Sequence, residues 1–546
     1  MYKQKIHNFI SSIISRQYSV GNVILTVLTI ILVRLGIENW LDGFKSKAPH
    51  LYLGEFMHTT TFFVIIFLIC VILVIKLSTI SRKSGIAIFL FAFLMIILPP
   101  ILDHIISAMY FDGINFYSYY LFDNPEGLVK SFFTFFGDKP RDGITYGTRI
   151  MIFLTLIFLG IITWLKTKKV SKTLTTIFVA YVLFFIMSSL PSLLSYIVLP
   201  QHMNVGGGDV AGFITSPTAV LGNQITNPIN AASIKLSLVY LLLLIVLLSL
   251  IFFRTHKDLF ISLLKNVRPV QTAYHIGLLV MGMYIAITFG GAIILPTFFT
   301  VLAFILLCIA IVFAWYSTVI FNDCVDQKID AISNPQRPLI TKIINVSSYK
   351  KIGFTFLVLS LIITALINGL AVFILIIYHA LSFLYNTEPL RLKRFPILAT
   401  LTAAIASFFI VVIGFVTLVP HHSISDFPPH IAILLIVVYT ISLPIKDLKD
   451  IDGDRASNIY TIPVLFGKET SRIIIAISIF TSFMLSIFTL GTKSLLVPAL
   501  LAGALSFWTL VGQKNQKFIF DSRQVLLIVF LIVSIYSIIL AVSLFG

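Results

Sequence analysis

The chain has 546 residues, of which 58% are hydrophobic and only 11% charged, and its mean hydropathy is +1.02. No soluble globular domain has that composition, so the chain belongs in a bilayer. A net charge of +17 would point to nucleic acid in a soluble protein, but here it is spread over short loops in the positive-inside manner. The expected partners are membrane lipids, with no nucleic acid.

The opening stretch, Met1 to Ser19, places Ile6, Phe9, Ile10, Ile13 and Ile14 at helical spacing among Lys3, Lys5 and Arg16, which predicts an uncleaved basic helix at the membrane interface. Six apolar runs follow, approximately at 19–36, 58–76, 85–107, 148–165, 173–198 and 231–253, each long enough to cross the hydrocarbon core. Helices satisfy their own backbone groups in lipid, and the runs lack the alternation of a transmembrane barrel. The fold class is therefore all-α and polytopic. Asp103 and His104, after Pro99-Pro100, read as a solvated helix end. Gly206-Gly207-Gly208-Asp209 lacks the Gly-Lys-Ser/Thr ending of a phosphate loop and reads as a flexible turn. Cys70, Cys308 and Cys324 lie far apart in or beside apolar runs and make neither a disulfide framework nor a metal knuckle.

Arg254 to Gln271 is polar and amphipathic, with Pro269 where a helix could restart. The predicted organisation is a six-span membrane domain over 1–253, a linker over 254–270 and a nine-span domain over 271–546. The nine runs lie approximately at 271–290, 296–320, 352–368, 370–385, 398–418, 430–445, 473–491, 495–512 and 524–545. In this half the basic residues gather in alternate loops: Lys342, Lys350 and Lys351; Arg391, Lys393 and Arg394; Arg455, Lys468 and Arg472; Lys514, Lys517 and Arg523. Those loops are predicted to be cytoplasmic.

Two of them are rich in acids. Asp323, Asp326 and Asp330 follow one apolar run; Asp447, Asp450 and Asp454 follow another with the same i, i+3, i+7 spacing. On a helix each set lies within roughly 60° of one face, with Lys328 and Asp452 opposite. Like charges so stacked repel one another, and a chain with only 22 acidic residues has no structural reason to stack them, so a cation is implied. Oxygen donors without nearby His or Cys suit Mg²⁺, which keeps waters and substrate phosphates. Two such walls would clamp a diphosphate between metal ions. Arg337, Lys446, Lys393 and Arg394 offer further positive charge to the same anion.

Asn322-Asp323-x-x-Asp326-x-x-x-Asp330 with Arg337-Pro338-Leu339, and Lys446-Asp447-x-x-Asp450-x-x-Gly453-Asp454 with Thr461-x-Pro463 and Gly467, resemble the two signatures of the UbiA-type intramembrane prenyltransferases. The resemblance covers about residues 260–546. It implies a nine-helix bundle around a central cavity, with both motifs at its cytoplasmic mouth. It also implies Asn322, Asp326, Asp447, Asp450 and Asp454 as Mg²⁺ ligands, supported by Asp323 and Asp330. Tyr385, ahead of Pro389-Leu390-Arg391-Leu392-Lys393-Arg394, is similar to the family's Tyr-then-Lys-Arg stretch and would orient the diphosphate or shield an allylic cation, or else serve as an interfacial aromatic. Glu388 stands where relatives carry small residues or proline. Arg268-Pro269 resembles the family's entry to its first span, with Arg268 able to reach the acceptor or the diphosphate, or else serving, as the preferred reading, as an interfacial anchor.

The implied activity is Mg²⁺-dependent transfer from a polyprenyl diphosphate to a lipophilic acceptor, an aromatic ring or a glycerol-type alcohol, by a multi-pass cell-membrane enzyme. Ile329 to Pro338 is similar to the loop of geranylgeranylglyceryl-phosphate prenyltransferases and chlorophyll synthases. One branch of the superfamily instead transfers phosphoribosyl to a polyprenyl phosphate. A lipid or ion transporter is the rival class; against it, the acids cluster at one membrane face and the spans lack paired Gly/Pro breaks. A CDP-alcohol phosphotransferase needs an Asp-Gly-x-x-Ala-Arg order that Asp452 to Ala456 does not have.

Overall fold

The computed structural model describes residues 18–41, 43, 49–113, 116, 120–138, 143–200, 204–225, 227–419, 423–514 and 517–545. The interfacial helix expected before Ser19 lies almost wholly outside them. Among the described residues, 15 helices are long and apolar enough to cross a membrane. Six are α1 (Val20–Leu41), α2 (Gly54–Leu77), α3 (Arg82–Tyr110), α4 (Tyr146–Thr167), α5 (Val170–Ser188) and α6 (Pro228–Thr255). Nine more are α7 (Pro269–Phe289), α8 (Phe298–Val325), α9 (Val346–Ile367), α10 (Gly369–Asn386), α11 (Pro396–Leu418), α12 (Pro429–Lys449), α13 (Lys468–Leu490), α14 (Lys493–Val511) and α15 (Ser522–Ser543). The fold is all-α and that of an integral, multi-pass membrane protein. Among the described residues, extended structure is confined to two short ladders, Ala219–Val220 with Asn223–Gln224 and Gln513–Lys514 with Lys517–Phe518.

The chain forms two compact units, one of Met1–Ala219 with Ile225–Leu247 and the other of Val220–Gln224 with Leu248–Gly546. In the first, the aromatic-rich segment ahead of α4 folds in part as a helix, Pro125–Phe133, and Phe132 and Phe136 pack on Tyr181 and Phe185 of α5. Two sequence expectations change here. Asp103 is not a solvated helix end: it is buried, and its carboxylate accepts the Gly147 N–H at 2.7 Å, satisfying a free donor at the start of α4. His104 beside it is exposed. Gly206 to Asp209 opens a helix, Gly207–Thr215, whose first turn is closed by Gly206 N–H donating to Asp209 Oδ2 at 2.9 Å. A short acidic side chain three residues after the cap suits that role.

In the second unit the sequence states where spans begin. Thr297, Asn345 and Asn368 each accept the backbone N–H three residues on, opening α8, α9 and α10, as side-chain oxygens do at helix N-caps. Proline stands in the first turn of α7, α11 and α12, where its missing N–H costs nothing. Lipid tails are as apolar as Leu, so spans associate through close packing. α7 and α11 show how: a Cβ on Gly282 would stand 1.8 Å from Val411 O, and one on Gly414 2.1 Å from Leu279 O. Only glycine at both positions lets these backbones touch, and this contact fixes the span that carries Arg268 at its head.

Candidate active site

Both acidic motifs straddle a helix break. α8 ends at Val325, and a short helix, Gln327–Ser333, resumes after Asp326. The second motif runs from a 3₁₀ segment, Leu443–Lys449, through Asp450 into a short helix, Ile451–Ala456. The middle aspartate of each triad is the hinge, with φ −92°, ψ 21° at Asp326 and φ −111°, ψ 13° at Asp450. The single continuous helix face expected from the spacing is therefore a bent one. Backbone bonds still bridge each break, Asp330 N–H to Asp326 O and Asp454 N–H to Asp450 O, both 2.9 Å.

The two short helices lie against each other. A Cβ on Gly453 would meet Ser333 Oγ at 2.4 Å and Ile329 Cγ2 at 2.9 Å, so glycine at this position lets the motifs stand side by side. Behind the first motif, Tyr316, Val319, Ile320, Cys324, Ile344 and Tyr349 form a buried apolar cluster with Leu263. Lys328 and Asp452 are exposed, as their positions opposite the acids predict.

Asp323 is 1% exposed and takes four donors. Asn266 Nδ2, Arg268 Nη2 and Arg337 Nη1 each reach it at 2.8 Å, and the Tyr349 hydroxyl does so at 3.3 Å. Arg337 Nη1 also bonds Asp330. Burial pushes the Asp330 carboxyl up to about 6 although Arg337 opposes it. Asp326 is held from the other side, by Arg391 at 3.0 Å and by Lys393. Lys393 Nζ also stands 3.4 Å from Asn322 Oδ1, and burial lowers its ammonium against the pull of Asp326. Arg268 and Arg391 both take left-handed backbone, φ 56° and 41°. That conformation costs a non-glycine residue about 1–2 kcal/mol and here serves two guanidinium groups aimed at motif carboxylates.

In the second motif, Lys446 Nζ bonds Asp447 at 2.9 Å and the Tyr385 hydroxyl at 3.1 Å. Lys449 stands 3.9 Å from Asp450. Asp454 is buried and pushed up to about 7, first by burial and then by the carboxylates of Asp447 and Asp450, with Lys446 and Lys393 easing it. Asp454 thus feels charges from both motif regions. Arg394 does not join them. It pairs with exposed Glu388 at 2.5 Å, the residue that is unusual in the motif comparison.

Of the residues named from the sequence, Asp323, Asp326, Asp330 and Arg337 are gathered with Asn322 and Lys393, and Asp447, Lys446 and Tyr385 with Asp450 and Asp454 nearby. Four contributors were missed or misread. Asn266 and Tyr349 carry no local signal, because they meet Asp323 only in the fold. Arg268 is a half-buried partner of Asp323 and not merely an interfacial anchor, since a charge-assisted bond to a carboxylate holds the guanidinium in the site. Arg391, counted among loop charges, seats Asp326.

The donor set fits a hard divalent ion in kind. It offers only oxygens, and the crowding of Asp454 by Asp447 and Asp450 is what such an ion relieves. In this conformation no three His, Cys, Asp or Glu side chains among the described residues stand close enough to hold one. Basic side chains occupy the carboxylates instead. Against the aspartates at 323, 326, 330, 447 and 450 stand six bases, Arg268, Arg337, Arg391, Lys393, Lys446 and Lys449, and Asp454 lies beside them with no ion pair among the described residues.

Residues 279–535 match the UbiA prenyltransferase family. Digeranylgeranylglyceryl phosphate synthase of Methanobrevibacter smithii is 27% identical over 176 residues, 31% of this chain and 60% of that protein. The enzyme of the same name from Haloquadratum walsbyi is 27% identical over 237 residues, 41% of this chain and 79% of that one. The chain thus spans about 60% of the first relative's length. A solved UbiA homolog from Archaeoglobus fulgidus, bound to DMAPP and Mg²⁺, aligns with a TM-score of 0.40 at 17% identity, covering 52% of this chain and 98% of that one. Over residues 279–535, the C-terminal half of this chain is thus similar to the UbiA prenyltransferase family.

Proposed function

We propose that residues 254–546 catalyse Mg²⁺-dependent transfer of a prenyl group from a polyprenyl diphosphate to a lipophilic acceptor, at the cytoplasmic face of the cell membrane. The observation that carries this reading is the meeting of two acidic motifs at Gly453, with as many basic side chains interleaved. Such an arrangement is neutral without substrate and can exchange partners when a diphosphate arrives. Arg391, Lys393 and Lys446 would turn to the phosphate oxygens, with Tyr385 alongside. That would free Asp326, Asp447 and Asn322 Oδ1 to hold Mg²⁺ together with Asp450 and Asp454. When bound, Mg²⁺ neutralises the charge that develops on the leaving diphosphate. Asp323 and Asp330, pinned by Arg337, keep the first motif's backbone in place. The apolar spans suit a long prenyl tail and keep water from an allylic cation.

The relatives' names favour a glycerol-type alcohol as acceptor, with an aromatic ring as the other class. Residues 1–253 form a separate domain in this reading, whose role lies outside the transfer chemistry. Membranes containing the protein, incubated with labelled prenyl diphosphates with and without Mg²⁺, should yield a prenylated lipid only with the metal. Asp326→Asn and Asp450→Asn should each reduce product to background. Near-normal turnover in both variants rules out the site, and a phosphoribosylated lipid from the corresponding donor rules out the prenyl diphosphate.

A further inference from the structure

A second layer of side chains lies beneath the charged one. Trp315 is two turns before Asn322 on α8, Tyr378 two turns before Tyr385 on α10, Tyr439 two turns before Lys446 on α12, and His275 two turns after Arg268 on α7. Two turns of helix keep the same face and descend about 10 Å. Trp315, Tyr378 and Tyr439 therefore lie below Asn322, Tyr385 and Lys446, and His275 meets Trp315 and Tyr378 from the second turn of α7. The rings meet: His275 stacks on Trp315 with centroids 4.3 Å apart and planes at 25°, and Tyr378 stands edge-on to His275 at 6.3 Å. Tyr274, beside His275, is edge-on to Tyr439 at 6.3 Å.

His275 is 6% exposed, and its hydrogen bonds define its chemistry. Nδ1 lies 2.7 Å from the Gln271 carbonyl oxygen, which can only accept, so in the neutral ring Nδ1 carries the proton and Nε2 is a bare acceptor. The Tyr378 hydroxyl stands 3.4 Å from Nε2, longer than a good hydrogen bond. Trp315 Nε1, on the ring stacked against His275, is buried without an acceptor. Buried polar groups normally find partners. An underused acceptor and an unfilled donor on stacked rings, two turns below the diphosphate groups, match one chemical group that both donates and accepts: a hydroxyl.

We infer that the acceptor is a lipid alcohol whose hydroxyl hydrogen-bonds His275 Nε2 and Trp315 Nε1–H, and that His275 takes its proton. This rests on the prenyl-transfer reading above. In the step, the alcohol oxygen forms a bond to C1 of the prenyl chain as the C1–O bond to diphosphate breaks, the electron pair leaving with the diphosphate. The hydroxyl proton passes to Nε2, and the resulting imidazolium keeps its Nδ1–H on Gln271. The departing diphosphate, having gained negative charge, carries that proton out. An aromatic ring attacked at carbon makes no such paired demand at its reacting atom.

The test uses full-length protein in membranes with Mg²⁺, a labelled prenyl diphosphate and a glycerol phosphate monoether bearing one free hydroxyl, and it follows ether product and diphosphate release separately. His275→Gln, which retains a donor for Gln271 O, should lower ether formation by about 100-fold or more. Its binding of Mg²⁺ with inorganic pyrophosphate, read as the rise in Tm, should match wild type, because His275 lies below the charged layer. Trp315→Phe, which keeps the stacked ring, should raise KM for the alcohol with kcat changed less. Wild-type ether formation in His275→Gln overturns the proposal. So does loss of the Mg²⁺-pyrophosphate stabilisation in His275→Gln, and so does a wild-type enzyme that prenylates a hydroxyaromatic acid on carbon but not the alcohol. Absence of any Mg²⁺-dependent diphosphate release in the wild type instead overturns the transfer reading itself.

Discussion

Asp323 and Asp326 sit one helical turn apart and are built for opposite duties. Asp323 takes four donors from Asn266, Arg268, Arg337 and Tyr349, and all of its oxygen capacity is spent inside the protein. Asp326 is held by Arg391 and Lys393, two groups that would serve a phosphate equally well. Arg337→Met removes the shared partner of Asp323 and Asp330 and leaves buried carboxylate short of compensation. Breaking a buried pair in this way costs about 3–5 kcal/mol, so the variant should unfold at clearly lower temperature in detergent; an unchanged Tm would mean that Arg337 is not structural. Lys393→Met tests the other duty. In wild type, Mg²⁺ must compete with Lys393 for Asp326, so Mg²⁺ alone should raise Tm little, and Mg²⁺ with inorganic pyrophosphate should raise it more. In Lys393→Met the metal alone should stabilise more than in wild type, and pyrophosphate should add less. Equal stabilisation of wild type by Mg²⁺ with and without pyrophosphate contradicts the exchange of partners.

The i, i+3, i+7 spacing of each triad is visible in the sequence because it needs only local periodicity, and it correctly brings three acids toward one side. The break at Asp326 and Asp450 is not visible, because no proline or glycine occupies either hinge. The partners of Asp323 escape sequence reading for a different reason: Asn266, Arg268 and Tyr349 come from separate helices and acquire meaning only when α8 packs beside them. Gly453 is intermediate. Its place in the motif is evident, but the purpose is steric, since it leaves room for Ile329 and Ser333. Gly453→Ala should force the Ser333 hydroxyl aside and push the Ile329 side chain back, parting the two motif helices. Activity should fall at least tenfold, since displacements of about 1 Å at a reacting site cost up to 100-fold. Adding Ser333→Ala removes the tightest contact and should restore part of the loss; activity in Gly453→Ala equal to wild type would show that the motifs do not depend on this approach.

At the scale of the whole chain, the count of fifteen spans and the all-α class follow from run length alone, since lipid leaves no other way to satisfy the backbone. The division of labour is subtler, because the stretch 254–270, polar and short, looks like a mere connection. In the fold it is the back wall of the first motif. Its helix, Lys257–Lys265, places the Leu263 carbonyl to accept from the Tyr316 hydroxyl at 2.6 Å, and the turn after it delivers Asn266 and Arg268 to Asp323. Two truncations separate these possibilities. A chain beginning at residue 254 keeps every motif residue and every partner identified around it, and loses the Val220–Gln224 segment, including the Gly222 N–H bond to Thr417 O at 3.1 Å. It should retain Mg²⁺-dependent transfer, with a Tm a few degrees lower from the lost contacts. A chain beginning at Pro269 keeps all nine spans but leaves Asp323 with Arg337 and Tyr349 alone, and uncompensated buried charge of that kind is strongly destabilising. It should be inactive, and restoring residues 254–268 as part of the same chain should recover it. Equal activity from the two truncations would reduce the stretch to a tether and remove Asn266 and Arg268 from the site.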